Sequence, residues 1–180
     1  MIPLALAALV LAHPQGFHKR VSLELWSTSI RGLVVMDIDS GERCELLRAG
    51  ADANHDGLLD ANETKALKVK LTTLATRALK LWISGYPVAV EVKETKVTLK
   101  EDPRVSPSGV SVAVLLEMRH PYAVTPGMSL WLEDTAPDFS HVEVEVFQHP
   151  RADGGAEPAF GQSAGSGERV IVRLGALASP

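Results

Sequence analysis

Residues 52 to 63, Asp-Ala-Asn-His-Asp-Gly-Leu-Leu-Asp-Ala-Asn-Glu, gather four carboxylates, two Asn and one Gly in twelve positions. Asp52, Asn54, Asp56, Asp60 and Glu63 put side-chain oxygens at the first, third, fifth, ninth and twelfth positions, with Gly57 sixth and Leu58 seventh. A hard cation such as Ca²⁺ takes six to eight oxygens at roughly 2.3 to 2.6 Å, more than a straight segment can present. Oxygens at alternate positions converge once the chain winds tightly. Gly57 permits the positive φ that winds it, and the Leu58 carbonyl then serves as a neutral ligand. Asp60 fits a role through water, and Glu63 can close the cage with both carboxylate oxygens. Mg²⁺ demands a tighter octahedron, so this set suits Ca²⁺ better. The competing reading is a polar turn between two helices with solvated carboxylates.

Two features side with the cage. Asp60 and Glu63 form an Asp-x-x-Glu pair that caps a following helix, and Leu59 is an apolar eighth residue able to pair with a neighbouring loop or strand. On these residues, positions 40 to 84 resemble a single EF-hand of the calmodulin-like type. The resemblance implies one Ca²⁺ held by Asp52, Asn54, Asp56, the Leu58 carbonyl, Asp60 and Glu63. Its surroundings depart from the pattern: Ala51 and Arg48 stand where bulky apolar residues usually precede the loop, and no second loop exists in the chain. A lone hand must then be propped by the rest of the fold, by a protein partner or by a homodimer mate, and a Kd of about 10⁻⁵ to 10⁻³ M is expected. The order of leading apolar run, strand, "VVMDID", loop, "LKLWISG" and further strands also resembles the soluble exported domain of HupE/UreJ-type membrane accessory proteins. That second likeness brings no function with it.

The elements that must position the loop follow from periodicity. "VSLELWS" (21 to 27) and "GLVVMDI" (32 to 38) read as strands, and residues 40 to 50 as a short helix ended by Gly50. After the loop, Leu67, Leu71, Leu74, Ala78 and Leu81 or Trp82 recur at steps of three and four, which predicts a helix from Asn62 to Ser84 stopped by "SGYP". Period two then returns at 88 to 92, 110 to 116, 128 to 132, 142 to 146 and 170 to 174, with a further short strand at 96 to 100. The fold expected is α+β: an antiparallel β-sandwich of about six to eight strands carrying an inserted helix-loop-helix at 40 to 84. The Gly-rich stretch 151 to 168 reads as a flexible loop.

Composition sets the limits. At 180 residues, 46% apolar and 22% charged, the chain suits one domain with a substantial core. A net charge of -4 with Lys and Arg spread along the chain offers no footprint for nucleic acid. The uncharged run Ile2 to Ala12 reads as a secretory signal cleaved after Ala12, too short to span a bilayer, which places the remainder, 13 to 180, in the periplasm or outside the cell. Cys44 is the sole cysteine, so no internal disulfide forms and a small buried side chain is expected. Cleavage would leave His13 as a new N-terminus, whose amine and imidazole could chelate Cu²⁺ with help from His18; a mobile lead-in to the first strand is the plainer reading of "HPQGFHKR". His55 should face solvent, and Trp26, Trp82 and Trp131 fit core or sheet-face positions. No zincin motif or phosphate loop is present. A calcium-binding or structural module, and not an enzyme, is the resulting expectation, with periplasmic copper binding as the alternative.

Overall fold

The computed structural model describes residues 17–99, 103–120, 122–135, 141–149, 157–165 and 167–177. The fold is α+β, with two helices and two sheets. The chain begins with strands β1 (Phe17–Leu25) and β2 (Ser29–Ile38), passes through helices α1 (Glu42–Ala49) and α2 (Ala61–Thr76), and returns to β3 (Leu79–Ile83) and β4 (Tyr86–Pro87). It continues with β5 (Ala89–Leu99), β6 (Val110–Arg119), β7 (Ser129–Asp134), β8 (His141–Gln148), β9 (Glu157–Gly165) and β10 (Arg169–Arg173). Six strands form one sheet in the order β5-β6-β2-β1-β8-β9, and four form the other in the order β10-β7-β3-β4. No helix among the described residues is long and apolar enough to cross a membrane.

Alternation decides which face is buried. In β1, Phe17, Lys19, Val21, Leu23 and Leu25 turn inward while His18, Arg20 and Glu24 are exposed. Ile30, Val34, Met36 and Ile38 of β2, and Val110, Val112, Val114, Leu116 and Met118 of β6, continue that face. α2 lies against β2, β5 and β6, burying Glu63, Leu67, Leu71 and Ala75, a single stripe at steps of four. Leu79, Leu81 and Ile83 of β3, Leu130 and Leu132 of β7, and Val170 and Val172 of β10 belong to the same core. The buried ion pair between Lys19 of β1 and Asp134 of β7 links the two sheets.

Several expectations need correction. The helix predicted to reach Ser84 ends at Thr76, and Leu79–Ile83 is a strand paired with β7, Trp82 facing Trp131. Leu71, Leu74, Ala78 and Leu81 satisfy a helical step, but Leu79, Leu81 and Ile83 equally satisfy period two, and pairing with β7 supplies the hydrogen bonds that settle it. "SGYP" is accordingly a two-residue hairpin turn, with φ of 48° at Ser84 and 86° at Gly85, and not a helix stop. The two strands expected at 88 to 92 and 96 to 100 are one strand, β5 (Ala89–Leu99), whose register shifts between Val92 and Glu94, and residue 100 lies outside the described residues. The loop expected at 151 to 168 holds β9, antiparallel to β8, while 151 to 156 and residue 166 lie outside the described residues. The large sheet is mixed, since β1 and β8 run parallel; alternation carries no information on strand direction. Residues 17 to 20, expected as a lead-in, already belong to β1, and the signal segment and His13 fall outside the described residues.

Candidate functional site

The loop 52–63 is built by short-range bonds from its own side chains. Asp52 and Ala51 close the end of α1 by donating their amides to the Arg48 carbonyl, at 3.0 and 2.9 Å. The chain then winds through two residues of positive φ, His55 at 60° and Gly57 at 81°. A Cβ on Gly57 would meet nothing within 4 Å, so the requirement there is backbone conformation and not space. Asp52 Oδ2 accepts from the Gly57 amide at 3.0 Å, Asn54 Oδ1 from Asp56 at 2.9 Å, and Asp56 Oδ1 from Leu58 at 2.8 Å. Asn54 also donates its side-chain amide to Asp56 Oδ2 at 3.1 Å.

The far end is a complete capping box. Asp60 Oδ1 accepts from Asn62 and Glu63 at 2.7 and 2.8 Å, and Glu63 Oε2 accepts from the Asp60 amide at 2.9 Å. Glu63 Oε1 reaches across the loop to the amides of Ala53 and Asn54, at 2.8 and 3.2 Å. The first and twelfth positions are thereby drawn inward, Asp52 and Glu63 each only 6% exposed, while Asn54, Asp56 and Asp60 lie at the surface. Asp52 Oδ1 is buried and has no hydrogen-bond partner among the described residues. A buried carboxylate oxygen without a donor is unfavourable, and a hard cation is one of the few partners suited to it.

The five side chains expected as ligands fall into two groups. Asp52, Asn54, Asp56 and Glu63 are tied to one another's stretch of backbone across the turn, whereas Asp60 is committed to capping α2. Leu58 leaves its side chain 48% exposed and bridges to Arg104. Among the described residues, no group of three or more His, Cys, Asp or Glu side chains is gathered as a metal cluster. The carboxylates here rest on main-chain amides instead of pointing to one centre.

Some support for the loop was expected, but the segment that provides it was not foreseen from sequence. Leu59 is buried, and its amide donates to the Pro103 carbonyl at 2.8 Å, while the Val105 amide donates to the Gly57 carbonyl at 2.9 Å. Arg48 is wholly buried and gives its guanidinium to the carbonyls of Arg104, Ser108 and Gly109, at 3.0, 3.1 and 3.4 Å. Further along, Gly41 donates to the Pro107 carbonyl at 2.7 Å and Gly109 to Ser40 Oγ at 3.0 Å. The available signals were Leu59, an apolar eighth residue able to pair with a neighbouring strand, and Arg48, a charge where the pattern wants an apolar residue.

Other residues singled out by type are placed elsewhere. His55 is exposed, and His18 lies 3.2 Å from Asp39 Oδ2 on the outer face of β1. Cys44 is buried, with its Sγ 3.2 Å from the Asp39 carbonyl. Trp26 stacks on His149 with ring centroids 4.2 Å apart, and Arg169 lies over both Trp82 and Trp131, at 5.5 and 5.1 Å. An apolar cavity of about 300 Å³ is lined by Ile83, Tyr86, Val88, His120, Tyr122 and Met128, and burial holds the His120 imidazole below its ordinary value.

Compared with protein families and with curated proteins, the chain matches no family model and no curated relative.

Proposed function

We propose that residues 52–63 form a single EF-hand that binds one Ca²⁺, in an exported module that binds or is stabilised by calcium and is not a catalyst. The observation that carries this reading is Asp52: at the first ligand position, 6% exposed, with Oδ1 buried and without a hydrogen-bond partner. Asp52, Asn54, Asp56, Glu63 and the Leu58 carbonyl would hold the ion, with Asp60 contributing from its capping position. Calcium supplies positive charge to a turn in which four carboxylates repel one another, and it adds stability by mass action. Leu59 buried in the core and Arg48 buried beneath the loop favour a structural staple over a switch that exposes an apolar surface. We read the two sheets as the halves of a sandwich onto which the ion fastens the helix-loop-helix, and the leading apolar run as the export signal that delivers the module to the periplasm or the medium.

Calorimetric titration of chelator-treated protein with Ca²⁺ tests this. One saturable site is expected in the wild type, with Kd of about 10⁻⁵ to 10⁻³ M, lost or weakened in Glu63→Gln. A wild type that takes up no Ca²⁺ at millimolar concentration would overturn the reading.

A further inference from the structure

An isolated calcium hand lacks two things that a paired one obtains from its neighbour: a strand partner for the eighth loop residue and a packing partner for the entering helix. Both places are filled in this molecule by residues 103–109. The strand contact consists of Leu59 to Pro103 and Val105 to Gly57, either side of the Leu58–Arg104 bridge. The packing contact is Arg48, whose buried guanidinium binds the carbonyls of Arg104, Ser108 and Gly109 in place of apolar contact with a second hand. The segment also bonds to Ser40 and Gly41 at the start of the hand, so it runs beside the hand from its first residue to the middle of its loop.

From this arrangement we infer that residues 103–109 complete the calcium hand in cis, with Arg48 as its positioning residue, so that Ca²⁺ binding and the seating of this segment are coupled. The inference rests on the calcium reading above. It requires no second copy of the chain, because the positions a mate would occupy are already taken. The physical route is direct. The Leu58 carbonyl, one of the expected ligands, belongs to the same peptide group as the Leu59 amide held by Pro103, the preceding peptide group is held by Val105, and the Asp52 amide is bonded to the carbonyl of the same Arg48 that holds 104–109. Energy gained in ordering either part lowers the cost of ordering the other, and the dependence is reciprocal.

The test uses the whole chain with Ca²⁺ alone as ligand. Amide hydrogen exchange is followed at Leu59 and Val105 in chelator and in Ca²⁺, and Ca²⁺ affinity is compared between wild type, Arg48→Met and Val105→Pro. Val105→Pro removes one donor of the strand contact and leaves every proposed ligand in place. It therefore serves where Arg48→Met, which strips a buried cation from its acceptors, fails to fold. The expected result is slower exchange at both amides in Ca²⁺ and a Kd weakened by about 5- to 150-fold in Val105→Pro, with the protein monomeric throughout. A wild type that binds Ca²⁺ while both amides exchange unchanged and Val105→Pro binds equally well would overturn the inference and leave the calcium reading standing. A wild type that binds no Ca²⁺ would overturn both.

Discussion

The calcium-type loop and the junction between the two sheets both withdraw charge from water, and they do so by opposite means. In the loop the charges are carboxylates, and their partners are main-chain amides no more than ten residues away, such as Ala53 to Glu63. At the junction the charge is the Lys19 ammonium, 0% exposed in its side chain, and its partner is Asp134, 115 residues away on the other sheet. Burial lowers the Lys19 pKa from its ordinary value more than the Asp134 charge and hydrogen bond raise it. A local polar site can be written in a dozen residues, whereas a buried ion pair between sheets depends on the whole fold being correct.

The junction gives the largest expected effect. Lys19→Met removes the ammonium that pairs with the buried Asp134 and should destabilise by about 3 to 5 kcal/mol in equilibrium unfolding, whereas adding Asp134→Leu should recover most of the loss. A single substitution as mild as the double one would mean that the pair is not desolvated, and the contrast with the loop would fail.

The loop sharpens the comparison at smaller scale. In chelator, Asp60→Ala removes the side chain that caps α2 and should lower stability by about 1 kcal/mol, with Asp60→Asn retaining most of it. Because the partners are local amides, the loss should stay near this value; a loss as large as that of Lys19→Met would show that the box also holds the core.

The smallest effect belongs to His120, half-buried just beyond β6 with no carboxylate partner among the described residues. Its folded pKa lies below the ordinary 6.5 because burial outweighs the hydrogen bond to the Tyr122 backbone. The unfolded chain therefore binds the proton more readily, and stability should be full above about pH 6.5 and decline as pH falls toward the folded pKa. Comparing unfolding of the wild type and His120→Gln across that window checks the sign, since the variant should lack this part of the slope.

The same difference in range explains what could be read from sequence. The Gly57 turn and the capping box were legible because every partner lies within the loop, and the residues themselves specify it. The strands of the core were legible as alternation at 21 to 25, 110 to 116 and 142 to 146, and as a short apolar, β-branched run at 32 to 38. The end of α2 was not, since Leu79 to Ile83 fits both periods until β7 is there to pair with it. Strand direction, the parallel contact of β1 with β8, and β9 within a Gly-rich stretch depend on partners distant in sequence. Lys19 reads as one more charge near the N-terminus, and Arg48 as a flaw in the hand. Both become intelligible only when Asp134 and residues 104 to 109 are brought beside them.

The central claim is that calcium fastens the hand to the sheets, and the most direct measurement is equilibrium unfolding of the wild type in chelator and in about 10 mM Ca²⁺, beside Glu63→Gln. With a Kd near 10⁻⁴ M, Ca²⁺ at roughly a hundredfold excess over Kd should add about 2.7 kcal/mol to the wild type, and Glu63→Gln should lose most of that gain. Equal stability of the wild type with and without Ca²⁺ would contradict the account and return residues 52–63 to a self-satisfied polar turn.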